Sequence, residues 1–321
     1  KDVTSWTSLS EGYADYGFKE EALELFEKMQ LEGISMDDVS LYFSLQLLGS
    51  IRAPDCGQKI HITVVKKGFD KYSFLGNALV EMYAKCGLLS KAQQLLYQIP
   101  VQDQSSWNTL IAAYVHREQA HEALNCFEWM QNEEGLYPNM VTFTCILKAC
   151  AITGAIDKGK EIHDVILRRG LLEKDIVLGN ALVDMYAKCG QPTKAQEAFD
   201  QLLNRDVVSW TALTSAYLEY GLAEEASKYF QKMQMEGIPL DVISCNAGIL
   251  IYAEKEENET CKHIYMQMQE QGLLPNHVTF LSVFKACGEA AALNIGRKFH
   301  AQVIDNFYNG HRINESSIEV A

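Results

Sequence analysis

Cysteine and histidine are the residues of this chain whose chemistry could be covalent, redox or metal-binding, and their placement argues for packing instead. The nine cysteines are an odd number, and no two of them stand in a Cys-x-x-Cys pair. Cys86 and Cys189 fall at the same place in two copies of one sequence pattern, and Cys150 and Cys287 at the same place in two copies of another. Cysteines that repeat in register with a helical pattern act as small apolar side chains, and unpaired thiols fit a reducing compartment. His61, His163 and His300 also recur in register, spaced too widely to share one metal ion, so they are expected to line a groove or a core. No glycine-rich phosphate loop, His-Glu-x-x-His pair or Gly-x-Ser-x-Gly elbow occurs. The His-x-Glu and Pro-Cys-x-x-Cys signature of zinc deaminases is absent too. These residues therefore predict a binding scaffold and no enzyme, with no metal and no cofactor.

The elements that must carry any binding residues emerge from internal repetition. Asn77-Ala-Leu-Val-Glu-Met-Tyr-Ala-Lys-Cys-Gly87 returns as Asn180-Ala-Leu-Val-Asp-Met-Tyr-Ala-Lys-Cys-Gly190. Ser-Trp-x-x-Leu-x-x-x-Tyr occurs around Trp6, Trp107 and Trp210, and Val-Thr-Phe followed by Lys-Ala-Cys begins at Val141 and Val278. Three repeat types thus alternate in triplets, and the chain divides into repeats 3–37, 38–72, 73–103, 104–139, 140–175, 176–206, 207–241, 242–276 and 277–311, with 312–321 opening a truncated tenth. Each repeat reads as two helices. Trp6, Leu9 and Tyr13, like Trp107, Leu110, Tyr114 and Trp210, Leu213, Tyr217, lie on one helical face. Gly17, Gly87, Gly190 and Gly221 stand where a left-handed residue ends a helix, whereas repeat four has Glu118 there and repeat eight has no glycine between Ile251 and Thr260. The twentieth residue is small in each repeat (Ala22, Gly57, Ala92, Ala123, Gly159, Ala195, Ala226, Cys261, Gly296), which predicts a close approach between the two helices of a repeat. A single helical hairpin cannot bury its own apolar face, so the expected fold is all-α: a right-handed α-α superhelical solenoid of about nine helix-turn-helix repeats.

Composition agrees. Hydrophobic residues make up 48% of the chain and charged residues 22%, with 6 prolines and 21 glycines, as suits a packed helical protein. No apolar run approaches the roughly 20 residues that cross a bilayer, so no membrane partner is expected. Lys1 to Trp6 already read as the start of a repeat, so no targeting peptide is expected within the chain. The pattern breaks off near Ala321, which predicts that the chain is part of something longer.

The helix spacing is shared in part with tetratricopeptide repeats, but two features depart from it. The period is near 35 with a regular shorter variant, and Ser10, Ile111 or Thr214 stands where that family wants a small residue. The chain instead resembles the pentatricopeptide repeat family along nearly its whole length, and within it the plant-type subclass that alternates ordinary, long and short repeats. Val207-Val-Ser-Trp through Asp241 is similar to an ordinary repeat, Val141-Thr-Phe through His163 to a long one, and Asn180 through Gly190 to a short one.

That resemblance implies a single-stranded RNA partner, read one base per repeat through the fifth and the last residue. The implied base-reading residues are Thr7 with Asp37, Asn77 with Asp103, Asn108 with Asn139, Thr144 with Asp175, Asn180 with Asp206, Thr211 with Asp241, and Asn246 with Asn276. Tyr42 with Tyr72, and Leu281 in repeat nine, imply no base. An Asn amide both donates and accepts, which suits the edge of a pyrimidine, while the shorter Thr leaves room for a purine. The implied order is 5′-GNUYNUGYN-3′. Phe74, Val141, Val177, Val208 and Ile243 are implied to sandwich bases, and Lys85 and Lys188 to meet phosphate. Asp or Asn ahead of a helix is also an ordinary N-cap, so capping alone is a second reading of the last positions. Asn or Thr at seven of the nine fifth positions favours base reading, because Ala or Glu would serve a helix as well.

Charge points the other way. Net charge is −14, and the place of Lys85 and Lys188 is taken elsewhere by Asp15, Ser50, His116, Ile152, Glu219, Glu254 and Glu289. Carboxylates there repel a phosphate backbone. The leading expectation is a sequence-specific RNA-binding protein of mitochondria or chloroplasts, serving RNA processing and in particular C-to-U editing, with RNA-processing proteins as further partners and no small-molecule ligand. The rival expectation is a protein–protein scaffold or assembly subunit that keeps the fold without RNA recognition.

Overall fold

The computed structural model describes residues 3–32, 36–69, 73–132, 136–173 and 175–289. Tyr72, Gly296, His300 and the rest of repeat nine beyond 289 lie outside the described residues, as do the side chains of Thr7 and Cys287. The described residues form seventeen α-helices and no strand, and they fall into two compact units, Lys1–Ala155 and Ile156–Ala321.

The first unit holds α1 (Val3–Asp15), α2 (Lys19–Leu31), α3 (Asp38–Ser50), α4 (Pro54–Lys66), α5 (Ser73–Lys85), α6 (Leu89–Leu96), α7 (Gln104–His116), α8 (Ala120–Asn132) and α9 (Met140–Thr153). The odd helices pack one against the next, and each of α4, α6 and α8 packs between two of them. The second unit holds α10 (Ile156–Arg168), α11 (Ile176–Lys188), α12 (Pro192–Asp200), α13 (Val207–Glu219), α14 (Ala223–Met235), α15 (Val242–Glu254), α16 (Asn258–Glu270) and α17 (His277–Glu289). There α11, α13, α15 and α17 form the row, with α12, α14 and α16 packed between neighbours. Each unit is thus two layers of helices, and the odd helices of each share one face. No described helix is long and apolar enough to cross a membrane.

Local sequence explains where the helices start and stop. The side chains of Asp37, Asp103, Asn139, Asp175, Asp206 and Asp241 accept hydrogen bonds from backbone N–H groups in the first turn of α3, α7, α9, α11, α13 and α15. Pro54 and Pro192 open α4 and α12, where a missing N–H is harmless. Gly17, Gly87, Gly190 and Gly221 turn the chain with positive φ, as the sequence predicts. Where glycine is missing, Arg52, Glu118 and Glu256 take φ of 57°, 60° and 59°. An L side chain in this conformation costs about 1–2 kcal/mol, partly offset by the extra unfolded-state freedom of glycine. Glu118→Gly and Glu256→Gly are therefore each expected to stabilise the fold by roughly 0.5–1 kcal/mol, seen as a higher urea midpoint; a lower midpoint for both refutes the strain.

Trp107, Leu110 and Tyr114 are buried, as are Trp210, Leu213 and Tyr217, and the hydroxyls of Tyr114 and Tyr217 donate to Gln93 and Gln196 on the preceding helix pair. In α1 the pattern holds only in part. Trp6 is buried, but Leu9 is 48% and Tyr13 38% exposed. The small twentieth residues also act differently from the expectation in two repeats. A Cβ on Gly57 or Gly159 would collide with the sulfur of Met82 or Met185, on the first helix of the following repeat. There the close approach joins successive repeats. At Cys261 it lies within one repeat, the thiol donating to the Ile249 carbonyl at 3.4 Å.

The eight cysteines whose side chains are described are all free, and none is fully exposed. Burial pushes the Cys126 thiol up to about 12 and the Cys245 thiol up to about 11, so both stay protonated and inert. His61 and His163 are held within the packing of the helices. Their Nδ1 atoms lie 3.0 and 2.9 Å from the hydroxyls of Tyr83 and Tyr186, tying α4 to α5 and α10 to α11. Burial holds the His163 imidazole below its usual value. Among the described residues no group of three or more His, Cys, Asp or Glu could hold a metal ion.

Candidate nucleic-acid interface

The odd helices present their first turns side by side, and this places the fifth residue of one repeat near the cap residue that starts the next. In repeat four, Asn108 Nδ2 donates to Asn139 Oδ1 at 3.3 Å. In repeat six, Asn180 Nδ2 donates to Asp206 Oδ1 at 3.1 Å, and in repeat eight Asn246 Nδ2 donates to Asn276 Oδ1 at 3.4 Å. The structure thus brings three of the implied pairs into contact. One side chain caps a helix and holds the fifth residue of the repeat before that helix at once. In repeat five, Thr144 Oγ1 donates to the Met140 carbonyl within its own helix, and Asp175 caps α11 in the other compact unit. Asp37 caps α3 while the side chain of Thr7 is not described, and Asp103 caps α7 near a buried Asn77.

Sequence reasoning passed over a third participant, the buried hydroxyl at the third residue of the following repeat: Ser40, Ser106, Thr142, Ser209, Ser244 and Thr279. Each stands three residues after its cap, and this Asp/Asn-x-x-Ser/Thr spacing was its signal in the sequence. Asn139 with Thr142, Asp206 with Ser209 and Asp241 with Ser244 form capping boxes. Burial alone would push the Asp206 carboxyl up. Hydrogen bonds from the Ser209 backbone and hydroxyl and from Asn180 outweigh it and hold the carboxyl below its usual value. The Ser40 hydroxyl and backbone N–H do the same for Asp37.

A carboxyl depressed in the folded state stabilises the fold above its unfolded pKa and loses that contribution as pH falls through the folded value. Asp206→Asn keeps a good cap but not the charge. Wild type is expected to exceed it in stability by roughly 0.5–1 kcal/mol at pH 7, the gap closing below about pH 4. Urea melts of both proteins at several pH values check this, and a gap that persists at pH 2.5 refutes it.

Three fifth positions carry buried polar atoms that are left unsatisfied. Asn77 Oδ1, Thr211 Oγ1 and Asn246 Oδ1 are buried without a hydrogen-bond partner, a state that native proteins seldom leave unexplained. At Thr211 the surrounding space is open. A cavity of about 240 Å³ is lined by Lys188 from α11, by Val208, Thr211 and Glu219 from α13, by Asp241 and by Ile243 from α15. Val208 and Ile243, which line the cavity with Thr211 and Asp241, are 54% and 66% exposed. Phe74, Val141 and Val177 are exposed at the matching place, as are Val39 and Val278. Exposed apolar side chains at one position of successive repeats do nothing for the core, but they are suited to covering the faces of flat rings.

Lys85 and Lys188 are exposed near the ends of α5 and α11, and each leans on a carboxylate one turn earlier, Glu81 at 3.9 Å and Asp184 at 2.9 Å. Such surface pairs are worth at most about 1 kcal/mol, so both ammonium groups stay available to an anion. Glu254 is itself neutralised by Lys285 at 3.2 Å, while Glu219 opens onto the cavity.

Known proteins share this pattern. The PPR repeat family profile matches residues 102–152, the pentatricopeptide repeat domain profile residues 228–290, and the PPR repeat profile residues 4–34, 77–101, 141–171, 180–207 and 208–238. A pentatricopeptide repeat-containing protein of Arabidopsis thaliana is 33% identical over 100% of this chain and 39% of its own length. Two others from that plant are named mitochondrial (34% identical, 76% of this chain, 38% of the relative) and chloroplastic (32%, 90%, 54%). The chain spans about half the length, or less, of these relatives. Among solved structures it is similar to the maize pentatricopeptide repeat protein PPR10 (TM-score 0.68, 17% identity, 95% of this chain and 49% of that one). It is also similar to the same protein in complex with an 18-nt psaJ RNA element (TM-score 0.74, 22% identity, 95% and 46%). At such identity the likeness establishes the fold, an all-α helical-repeat solenoid.

Proposed function

This chain belongs to the pentatricopeptide repeat family, and we propose that it binds single-stranded RNA sequence-specifically in mitochondria or chloroplasts, one nucleotide per repeat. Within the family it is an alternating ordinary-long-short member of nine repeats divided as above, with residues 312–321 opening a tenth. It serves transcript processing as a specificity factor for C-to-U editing, the deaminase activity coming from outside these residues. The preferred RNA is 5′-GNUYNUGYN-3′, with Lys85 and Lys188 meeting phosphate.

The observation that carries this reading is the cavity at Thr211 and Asp241, where a buried hydroxyl has no partner and Val208 and Ile243 line the space. A base inserted there would be covered on both faces and meet a hydroxyl and a carboxylate at its edge, as recognition of unstacked bases requires. A protein scaffold is the second reading. It is favoured by the net charge of −14 and by the absence of a lysine at the place of Lys85 and Lys188 in the other repeats.

Equilibrium binding of a labelled RNA ten-mer carrying the string, beside one with U and G exchanged, over a range of salt, separates the two. Tight binding that weakens with salt and collapses on exchange is the expected result. No binding to either RNA at low salt ends the RNA reading and leaves the scaffold.

A further inference from the structure

We infer that Thr142 and Ser209 are specificity-determining positioning residues, each fixing which way the amide of the preceding repeat's Asn faces a base; this rests on the RNA reading above. Thr142 Oγ1 donates to Asn108 Oδ1 at 2.6 Å, and Ser209 Oγ donates to Asn180 Oδ1 at 2.6 Å. In both cases the hydroxyl oxygen already accepts the backbone N–H of the cap residue, from Asn139 at 3.1 Å and from Asp206 at 3.1 Å. Its single proton has two acceptors within reach, the Asn Oδ1 at 2.6 Å and the cap Oδ1 at 3.0 Å for Thr142 and 2.9 Å for Ser209, and the shorter contact directs it to the Asn. The amide nitrogen, on its other side, donates to the cap side chain. That cap oxygen is itself fixed, because it accepts the first-turn N–H of Thr142 or Ser209. The closed ring leaves one amide N–H and one lone pair of the Asn for a ligand, in a set order. Turning the amide over would place its oxygen against the cap oxygen.

Repeat eight carries the same Asn/Asn pair without this lock. Thr279 makes the same cap contacts as Thr142, with Asn276 N donating to its hydroxyl at 3.1 Å and its hydroxyl directed to Asn276 Oδ1 at 3.2 Å. It does not reach Asn246, whose Oδ1 is buried and unpartnered and whose Nδ2 makes one contact at 3.4 Å. That amide is held on one side only, by the longer contact to its cap, so the order of its donor and acceptor is less firmly set than in repeats four and six. Two repeats with identical reading residues then discriminate unequally, repeat four strongly and repeat eight weakly.

The test measures the affinity ratio of the preferred over the other pyrimidine, U against C, at the nucleotide facing repeat four, and separately at repeat eight. Wild type is expected to show a ratio about five- to tenfold larger at repeat four, the range one directed hydrogen bond supports. Thr142→Val should lower it to the level of repeat eight, and Thr142→Ser should restore it. Thr279→Val loses an equivalent cap and should lower the urea midpoint as Thr142→Val does, while leaving the ratio at repeat eight unchanged. This separates orientation from stability. Ser209→Ala provides the same reading at repeat six should Thr142→Val fail to fold. RNA binding with equal wild-type ratios at the two repeats, or with a ratio untouched by Thr142→Val and Ser209→Ala, overturns this inference alone. Absence of any RNA binding by wild type overturns it together with the function it rests on.

Discussion

Asn180→Thr should turn repeat six from preferring U to preferring G, reversing the relative affinity for two RNAs that differ at that one nucleotide by at least about tenfold. The reason lies in two neighbouring repeats that share a cap residue but not a reading residue. Asn180 fills its site, with Nδ2 on Asp206 and Oδ1 under the Ser209 hydroxyl. Thr211 is shorter, the Ser244 hydroxyl turns back to the Asp241 carbonyl at 3.0 Å, and a cavity of about 240 Å³ remains. Thr at position 180 would open the same space beneath the same kind of carboxylate, and a larger purine could enter. Fluorescence anisotropy with the two RNAs reads the change. A variant that keeps its preference for U while binding as tightly as wild type would show that the fifth residue does not read the base.

Trp210→Ala has the largest expected effect on stability, about 3–5 kcal/mol. The indole is fully buried, edge-on to Phe199 at 4.7 Å and within 6.4 Å of Tyr229. Phe199 belongs to α12 and Tyr229 to α14, so the ring joins two repeats through α13. In a repeat array each element contacts only its neighbours, so the loss should stay local. Hydrogen exchange is expected to quicken in α12 to α14 and much less in α16 and α17, with a lower overall urea midpoint. Because Trp210 Nε1 has no partner, Trp210→Phe should cost far less than Trp210→Ala; equal costs would show that packing is not what the ring supplies.

Much of this protein was legible in its residues. Spacing alone marks Trp107, Leu110 and Tyr114 as one buried face, because a helix repeats every 3.6 residues wherever it sits. The Asp or Asn before each odd helix and the glycines after α1, α5, α11 and α13 act within a few residues of themselves, so their roles needed no tertiary information. The resemblance to the pentatricopeptide repeat family was equally a property of the residues in order. The partners of those residues across repeats were not legible. Gly57 and Gly159 are small for the sake of Met82 and Met185 in the next repeat, and His61 and His163 meet Tyr83 and Tyr186 there. Asn108 and Asn246 are the same residue at the same position before the same cap, yet one amide is held on both sides and the other on one. The sequence by itself determined the helices, their caps and the residue types at the fifth positions, since these depend on contacts a few residues long. Only the tertiary structure decided which of those residues are held in place and which are left with an unfilled bond, because whether a hydroxyl of one repeat reaches an acceptor in the repeat before it depends on how the helices pack.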